Sequence, residues 1–264
     1  MQFSDLIAFF SPRAWKTLQL ALVVAIGVYT YRRRMLNAAG AFTAVACGAA
    51  IVLATSIVWL VLLFALLAIG SAATRFHYSE KEARKVAEKA GGRRRTRNVL
   101  ANGLPATIVA ILVPFLSGSL GYTPLAVAYV SAVAVAASDT LASEFGSLAK
   151  RVYLITTLRR VPAGTDGGFS AVGQAAAVAG ALALAVLGWL FLGYIPEVFG
   201  LVPWMEVRPL TLLIPTLAGF FGCQVDSVLG ATLEGEGLLT KEEVNGLSIA
   251  AGAILGLLLA VLWL

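Results

Sequence analysis

The sequence predicts an all-α fold, a polytopic transmembrane helical bundle, on three observations. The 264-residue chain is 59% apolar and only 13% charged, about half the charge of an ordinary soluble domain. Several of its apolar runs reach 17 or more residues, the length one helix needs to cross a hydrocarbon core. Its basic residues collect in alternate gaps between those runs, the signature of a chain oriented in a membrane.

The first run, 17–31, is followed rather than preceded by Arg32, Arg33 and Arg34, the reverse of a cleaved signal, so it is expected to remain as a span. The stretch 38–74 is apolar throughout and too long for one crossing at about 1.5 Å per residue. A tight turn or re-entrant pair is therefore expected at Thr55–Ser56, between spans 38–54 and 57–74. Further spans are expected at 98–116, 123–147, 170–194, 210–232 and 247–264. About eight spans result, with seven as the alternative count, in a single integral membrane domain over 1–264 that carries a basic segment at 75–97.

Cys47 and Cys223 lie in apolar runs, and His77 is the single histidine, which leaves neither a disulfide framework nor a Cys/His zinc site. The net charge of +6 comes without an aromatic-interleaved basic module, so nucleic acid is not the implied partner. Orientation explains it better. The gaps after spans one, three, five and seven hold 17 of the 20 Lys and Arg residues, leaving Arg13, Lys16 and Arg208 for the other side. By the positive-inside rule the first set faces the cytoplasm and both termini face out.

Within 75–97, SEKEARKVAEKA reads as a helix with Ser79 as N-cap, Glu82 at the capping-box position and Gly91–Gly92 as the stop. The arginines beyond it lead into span four, and such a basic segment can hold phosphates or anionic headgroups as well as anchor the chain. Arg94, Arg97, Asn98 and Asn102 are the candidates there.

Ionisable residues inside spans are costly and mark functional sites by default. Three stand out: Asp139 and Glu144 in ASDTLASEFG, and Asp226 in GCQVDSVLGATLEGEG. Asp139 lies roughly 16 Å along a helix from Lys150, recessed but reachable from the basic face. Asp139 and Glu144 stand about 140° apart on an ideal helix, so one metal ion takes both only with a bend. Glu144 then either serves a second metal or orients a basic residue. DTLAS and DSVLG resemble each other on parallel spans, and a weak internal repeat would bring the two aspartates together across a pseudo-two-fold axis. Oxygen ligands on two helices favour Mg²⁺, which is bound through one or two carboxylates and substrate phosphates. A buried acid paired with arginine, or a coupling-ion site, are the alternatives.

Between spans five and six, LRRVPAGTDGGFSAVGQ places Gly164, Thr165, Gly167 and Gly168 before Ser170, which can cap the following helix. Free N–H groups and the helix dipole make that end an anion site, with Arg160 beside it. The Walker arrangement is missing, and a plain turn and cap is the bland alternative. Asn245, near the start of the last span, can cap a helix or reach a nucleotide.

SAATRFHYSEK, NVLANG, ASDTLASEFG, VPAGTDGGFSAVG and GCQVDSVLGATLEGEG followed by VNGLS resemble, in that order, a family of membrane proteins named for a domain of unknown function, which includes the chloroplast phytyl-phosphate kinase of the tocopherol pathway. The resemblance covers most of the chain. Phe145, Phe169 and Glu234 depart from the usual isoleucine, valine and glutamine, while Asp139, Glu144 and Asp226 stay intact. The resemblance implies phosphoryl transfer from a nucleoside triphosphate, CTP being the expected donor, to an isoprenyl monophosphate, giving the diphosphate. Asp139 and Asp226, with Glu144, are then expected to hold Mg²⁺ while the 164–170 loop and nearby arginines bind phosphates. The competing functions are a cytidylyltransferase that forms a CDP-lipid and a transporter that couples ions through the intramembrane acids.

Overall fold

The computed structural model describes residues 12–88, 92–199 and 203–264. In chain order its helices are α1 (Pro12–Arg32), α2 (Ala38–Ala54), α3 (Ile57–Arg75), the short α4 (Tyr78–Ala83), α5 (Thr96–Leu120), α6 (Tyr122–Gly146), α7 (Ala171–Val198), α8 (Pro209–Glu234) and α9 (Lys241–Trp263). Each apolar run of the sequence becomes one long helix. Among the described residues, six of these, α3 and α5 to α9, are long and apolar enough to cross a membrane; α2 is apolar but has 17 residues.

The break at Thr55–Ser56 is a tight turn. Thr55 ends α2 by donating its N–H to Ile51 O, and the first N–H of α3, from Ile57, is taken by Gln19 Oε1 at 3.0 Å. Lys16 Nζ donates to Val52 O at 2.6 Å and Thr55 O at 2.8 Å, so a cation on α1 satisfies the carbonyls that the end of α2 leaves open.

The core is built around α6, which is buried without interruption from Leu125 to Ser138. A helix buried all round must be narrow, and α6 is made largely of alanine, valine and serine here. Its neighbours approach through small residues, as membrane helices do. A Cβ added at Gly180 on α7 would lie 2.8 Å from Ala137 O, and one at Gly219 on α8 would lie 2.9 Å from Ala134 Cβ. Both α7 and α8 loosen into single π-helical stretches, at Trp189–Tyr194 and Gly230–Glu234.

One end of the bundle gathers the gaps that the charges had assigned to one side. Leu36 bridges to Arg94, Arg75 Nη2 donates to Arg33 O at 2.9 Å, and Arg84 Nη1 donates to Leu148 O at 3.1 Å. Here two elements differ from expectation. The helix expected from Ser79 stops at Ala83, begins after His77 and leaves Ser79 inside it; Gly91 lies outside the described residues. Lys85 adopts φ +61°, Val86 N–H donates to Lys81 O and Lys85 N–H to Glu82 O, each at 3.0 Å, a Schellman ending without glycine. The physical reason lies in Lys81, whose buried side chain is tied to the bundle at 2.6 Å and fixes α4 in one short position. The second difference is an addition to the helices. A three-stranded antiparallel sheet in the order β2-β1-β3, made of β1 (Val152–Leu154), β2 (Arg160–Val161) and β3 (Gly168–Phe169), folds the 147–170 connection back on itself. Val152 faces Val161, and Tyr153 faces Phe169.

Candidate functional site

At this end the helices part around a polar chamber of about 590 Å³. It adjoins a smaller hollow of about 70 Å³, and Asn98, Asp139, Ser143, Glu144 and Lys241 border both.

Asp139 is on α6 directly after the buried stretch, and Asp226 is on α8. The two helices run in parallel, the segment that leads into α8 being linked to the first turn of α6 by Glu206 N–H donating to Thr123 Oγ1 at 3.0 Å. The two carboxylates consequently face each other across the chamber floor. Helix α9 holds Asp226 in place. Ser248 Oγ donates to Asp226 Oδ2 at 3.0 Å, and the Asn245 amide, in the orientation that satisfies both its atoms, donates to Lys241 O at 3.0 Å and Asp226 Oδ2 at 3.3 Å. Ser143, one turn beyond Asp139, is its hydroxyl partner.

Glu144 does not join this pair. Its Oε2 accepts from Lys81 Nζ at 2.6 Å and its Oε1 from Thr74 Oγ1 at 2.5 Å, while Lys81 Nζ also donates to Ala73 O at 2.8 Å. Of the two roles the sequence left open for Glu144, metal ligand beside Asp139 and Asp226 or partner of a basic residue, the geometry matches the second. The separation of Asp139 and Glu144 around α6 turns Glu144 toward α3 and α4, and among the described residues no three His, Cys, Asp or Glu side chains converge as ligands.

The glycine-rich loop forms one chamber wall, with Gly164, Thr165, Gly167, Gly168 and Ser170 all bordering it. Gly164 and Gly167 have φ of +83° and +72°, a region that favours glycine. Gly167 also presses on the π-helical end of α8, where an added Cβ would be 2.6 Å from both Ala231 N and Ser227 O. Ser170 caps α7 as expected, accepting from Gly173 N–H at 3.1 Å.

Of the basic and amide candidates, Arg94, Asn98, Asn102 and Asn245 line the smaller hollow. Asn98 Oδ1 accepts from Arg95 N–H at 3.1 Å, capping α5, and Asn102 Nδ2 donates to Asn98 O at 3.0 Å. Asn102 Oδ1 is buried with no hydrogen-bond partner. The Arg94 guanidinium turns inward over Gly70 of α3; burial pulls its pKa below the ordinary arginine value, against the opposing pull of Glu88, Glu144 and Asp139. Two candidates lie elsewhere. Arg160 is exposed on β2, with Nη2 donating to Lys150 O at 3.2 Å, because strand pairing turns it away from the chamber. Arg97 borders an outer apolar groove between α5 and α9, being three residues beyond Arg94 at the start of a helix.

Several site residues escaped the sequence. Lys241 stands in the first turn of α9 and faces Glu88, Asp139, Asp166 and Glu234, with Nζ 3.9 Å from Glu88 Oε1. Its only sequence signal was the T-K-E-E start of a helix, which reads as a cap, and Thr240 and Glu243 do form that capping box. Lys81 and Glu88 were hidden in a charged run, and Ser248 in an apolar one.

The comparisons agree with this architecture. A family model described as integral membrane protein DUF92 matches residues 21–257. A membrane protein of Synechocystis sp. is 38% identical over 195 residues, covering 72% of this chain and 69% of its own. A membrane protein of Methanocaldococcus jannaschii is 35% identical, covering 76% of each chain. The chloroplast protein VTE6 of Arabidopsis thaliana is 32% identical, covering 72% of this chain and 55% of its own. No solved structure matches the chain.

Proposed function

Because the chain belongs to the DUF92 family of integral membrane proteins, we propose that it is an isoprenyl-phosphate kinase working at the cytoplasmic face, with CTP as donor and Mg²⁺ as cofactor. The observation that carries this is the pair Asp139 and Asp226, facing each other at the floor of a chamber walled by the 164–170 loop. Two facing carboxylates repel unless a cation or proton lies between them. Oxygen donors alone, only two of them protein carboxylates, suit Mg²⁺, which completes its octahedron with water and phosphate oxygens. Bound there, the ion would neutralise charge on the triphosphate.

The remaining work is positioning, which is most of what phosphoryl transfer asks of a protein. Ser248 and Asn245 hold the Asp226 carboxylate. Lys241 and Arg94 place positive charge beside the acids, and the loop brings backbone close to the phosphates. An oxygen of the isoprenyl monophosphate attacks the γ-phosphorus; the bond from that phosphorus to the β–γ bridging oxygen breaks, CDP leaves and the isoprenyl diphosphate forms. The acceptor is already an anion, so no general base is required.

Purified protein incubated with Mg²⁺, γ-labelled CTP and an isoprenyl monophosphate should yield labelled diphosphate and CDP. Pyrophosphate with a CDP-lipid would replace the kinase by a cytidylyltransferase. Vesicle flux without nucleotide turnover would replace both by a transporter.

A further inference from the structure

Arg94 is the least explained cation near the chamber. Its backbone is tied on both sides, N–H to Met35 O at 3.0 Å and O to Asn37 N–H at 3.1 Å, so the side chain has no freedom to swing out with the segment. The guanidinium lies against Gly70, in space that a β-carbon there would fill, and beside the Thr140 methyl group. No ion pair or hydrogen bond to it is found among the described residues; Glu88, Glu144 and Asp139 act on it only as surrounding charges. A cation drawn inward without a partner is costly, and five directed N–H donors are left without an acceptor. Nearby, Asn102 Oδ1 is a buried acceptor without a donor. The same pocket therefore lacks both an anion and a hydrogen-bond donor.

Two cavities meet at these residues. On one side is the polar hollow bordered by Asp139 and Glu144. On the other is a cavity of about 90 Å³ among α1, α2, α3 and α5, bordered by Arg94, Asn98 and Asn102 at one end and by Val23, Cys47 and Phe64 among its apolar side chains. An apolar cavity does not hold ordered water, so hydrocarbon is its natural filling. A ligand with a phosphate at one end and hydrocarbon at the other satisfies both halves at once. A phosphate monoester adds the missing features together: anionic oxygens for Arg94 and, in its singly protonated form, an O–H for Asn102 Oδ1.

We infer that Arg94 and Asn102 form the headgroup site for a lipid monophosphate whose chain begins in the α1–α2–α3–α5 cavity. This inference deepens the kinase proposal and rests on it, since it assigns the acceptor rather than the nucleotide to this side of the aspartates. The acceptor phosphate then lies beside Asp139, while the triphosphate keeps the larger chamber and its glycine-rich wall. The outer groove between α5 and α9, with Arg97 at its mouth, is left to ordinary bilayer lipid.

Binding is measured without nucleotide or Mg²⁺, so that it does not depend on catalysis. The probes are geranylgeranyl monophosphate, methyl phosphate as the short monophosphate, and geranylgeraniol, titrated by native mass spectrometry against the full chain in detergent. Arg94→Gln should weaken both monophosphates at least tenfold and leave the alcohol unchanged, with Arg94→Lys recovering part of the loss. Cys47→Phe, which fills the cavity, should weaken the long-chain monophosphate at least tenfold and spare the short one. Should Arg94→Gln fail to fold, the chain-length split of Cys47→Phe still decides. If Ala250→Phe in the outer groove produces that split and Cys47→Phe does not, this site is wrong and the kinase proposal stands. If wild-type protein binds neither monophosphate, both fall.

Discussion

Lys81 and Glu144 form an ion pair of 2.6 Å with side chains only 1% and 11% exposed. It joins the short α4 to the end of α6 and, through Thr74, to α3. Glu144 therefore works as the anchor of the 75–97 segment, and that segment carries Glu88 and Arg94 to the smaller hollow beside the chamber.

Removing one partner should be severe. Breaking a buried pair leaves the other charge uncompensated, at a cost of about 3–5 kcal/mol. Lys81→Met and Glu144→Gln should each lower the melting temperature in detergent, and the double variant should lose much less than the sum of the two. Strict additivity would show that the pair is not coupled.

The facing aspartates should behave in the opposite way. Asp139→Asn and Asp226→Asn each remove half of a like-charge contact, so stability should hold or rise. Turnover should fall on the order of a hundredfold or more, as when one preorganised electrostatic contact is deleted. Steady-state kinetics beside a thermal melt checks both; a variant that keeps full turnover would take its aspartate out of the metal site.

Gly167→Ala should be structurally costly whether or not the loop touches phosphate. Its φ of +72° is unfavourable for alanine, and the new methyl would meet Ala231 N and Ser227 O at 2.6 Å. A loss of about 1–3 kcal/mol is expected from overpacking. A melting curve like that of the wild type would mean that the loop is not seated on α8.

Arg160→Ala should change little. The side chain is exposed and its one hydrogen bond among the described residues goes to the Lys150 carbonyl, and such surface substitutions stay within about 0.5 kcal/mol. Turnover should match the wild type; a tenfold fall would bring Arg160 back to the phosphates.

These four cases also show what the sequence made legible. The spans were plain because a helix in hydrocarbon must be apolar along its whole length. Asp139 and Asp226 were plain for the same reason, as acids inside those runs. Glu144 was found, but its partner was not. Lys81 sits in SEKEARK, a pattern that reads as a solvated helix face, and only the tertiary fold turns one of its charges inward. The ending of α4 was hidden because a lysine, Lys85, takes the left-handed position usually given to glycine. The sheet was hidden because strands of two and three residues are too short to set up an alternating pattern. Lys241 was hidden by its own capping box, which accounts for the local sequence without any reference to Asp139.

The burial of α6 has one further consequence. From Leu125 to Ser138 this helix touches protein and not lipid, and Asp139 follows at once. Membranes of different thickness are accommodated by tilt of lipid-facing helices and by local thinning or thickening around them. The outer helices can make that adjustment while α6 is steadied by its neighbours. The depth of Asp139 along the bundle is thus set by the protein's own interior and not by the width of the surrounding bilayer.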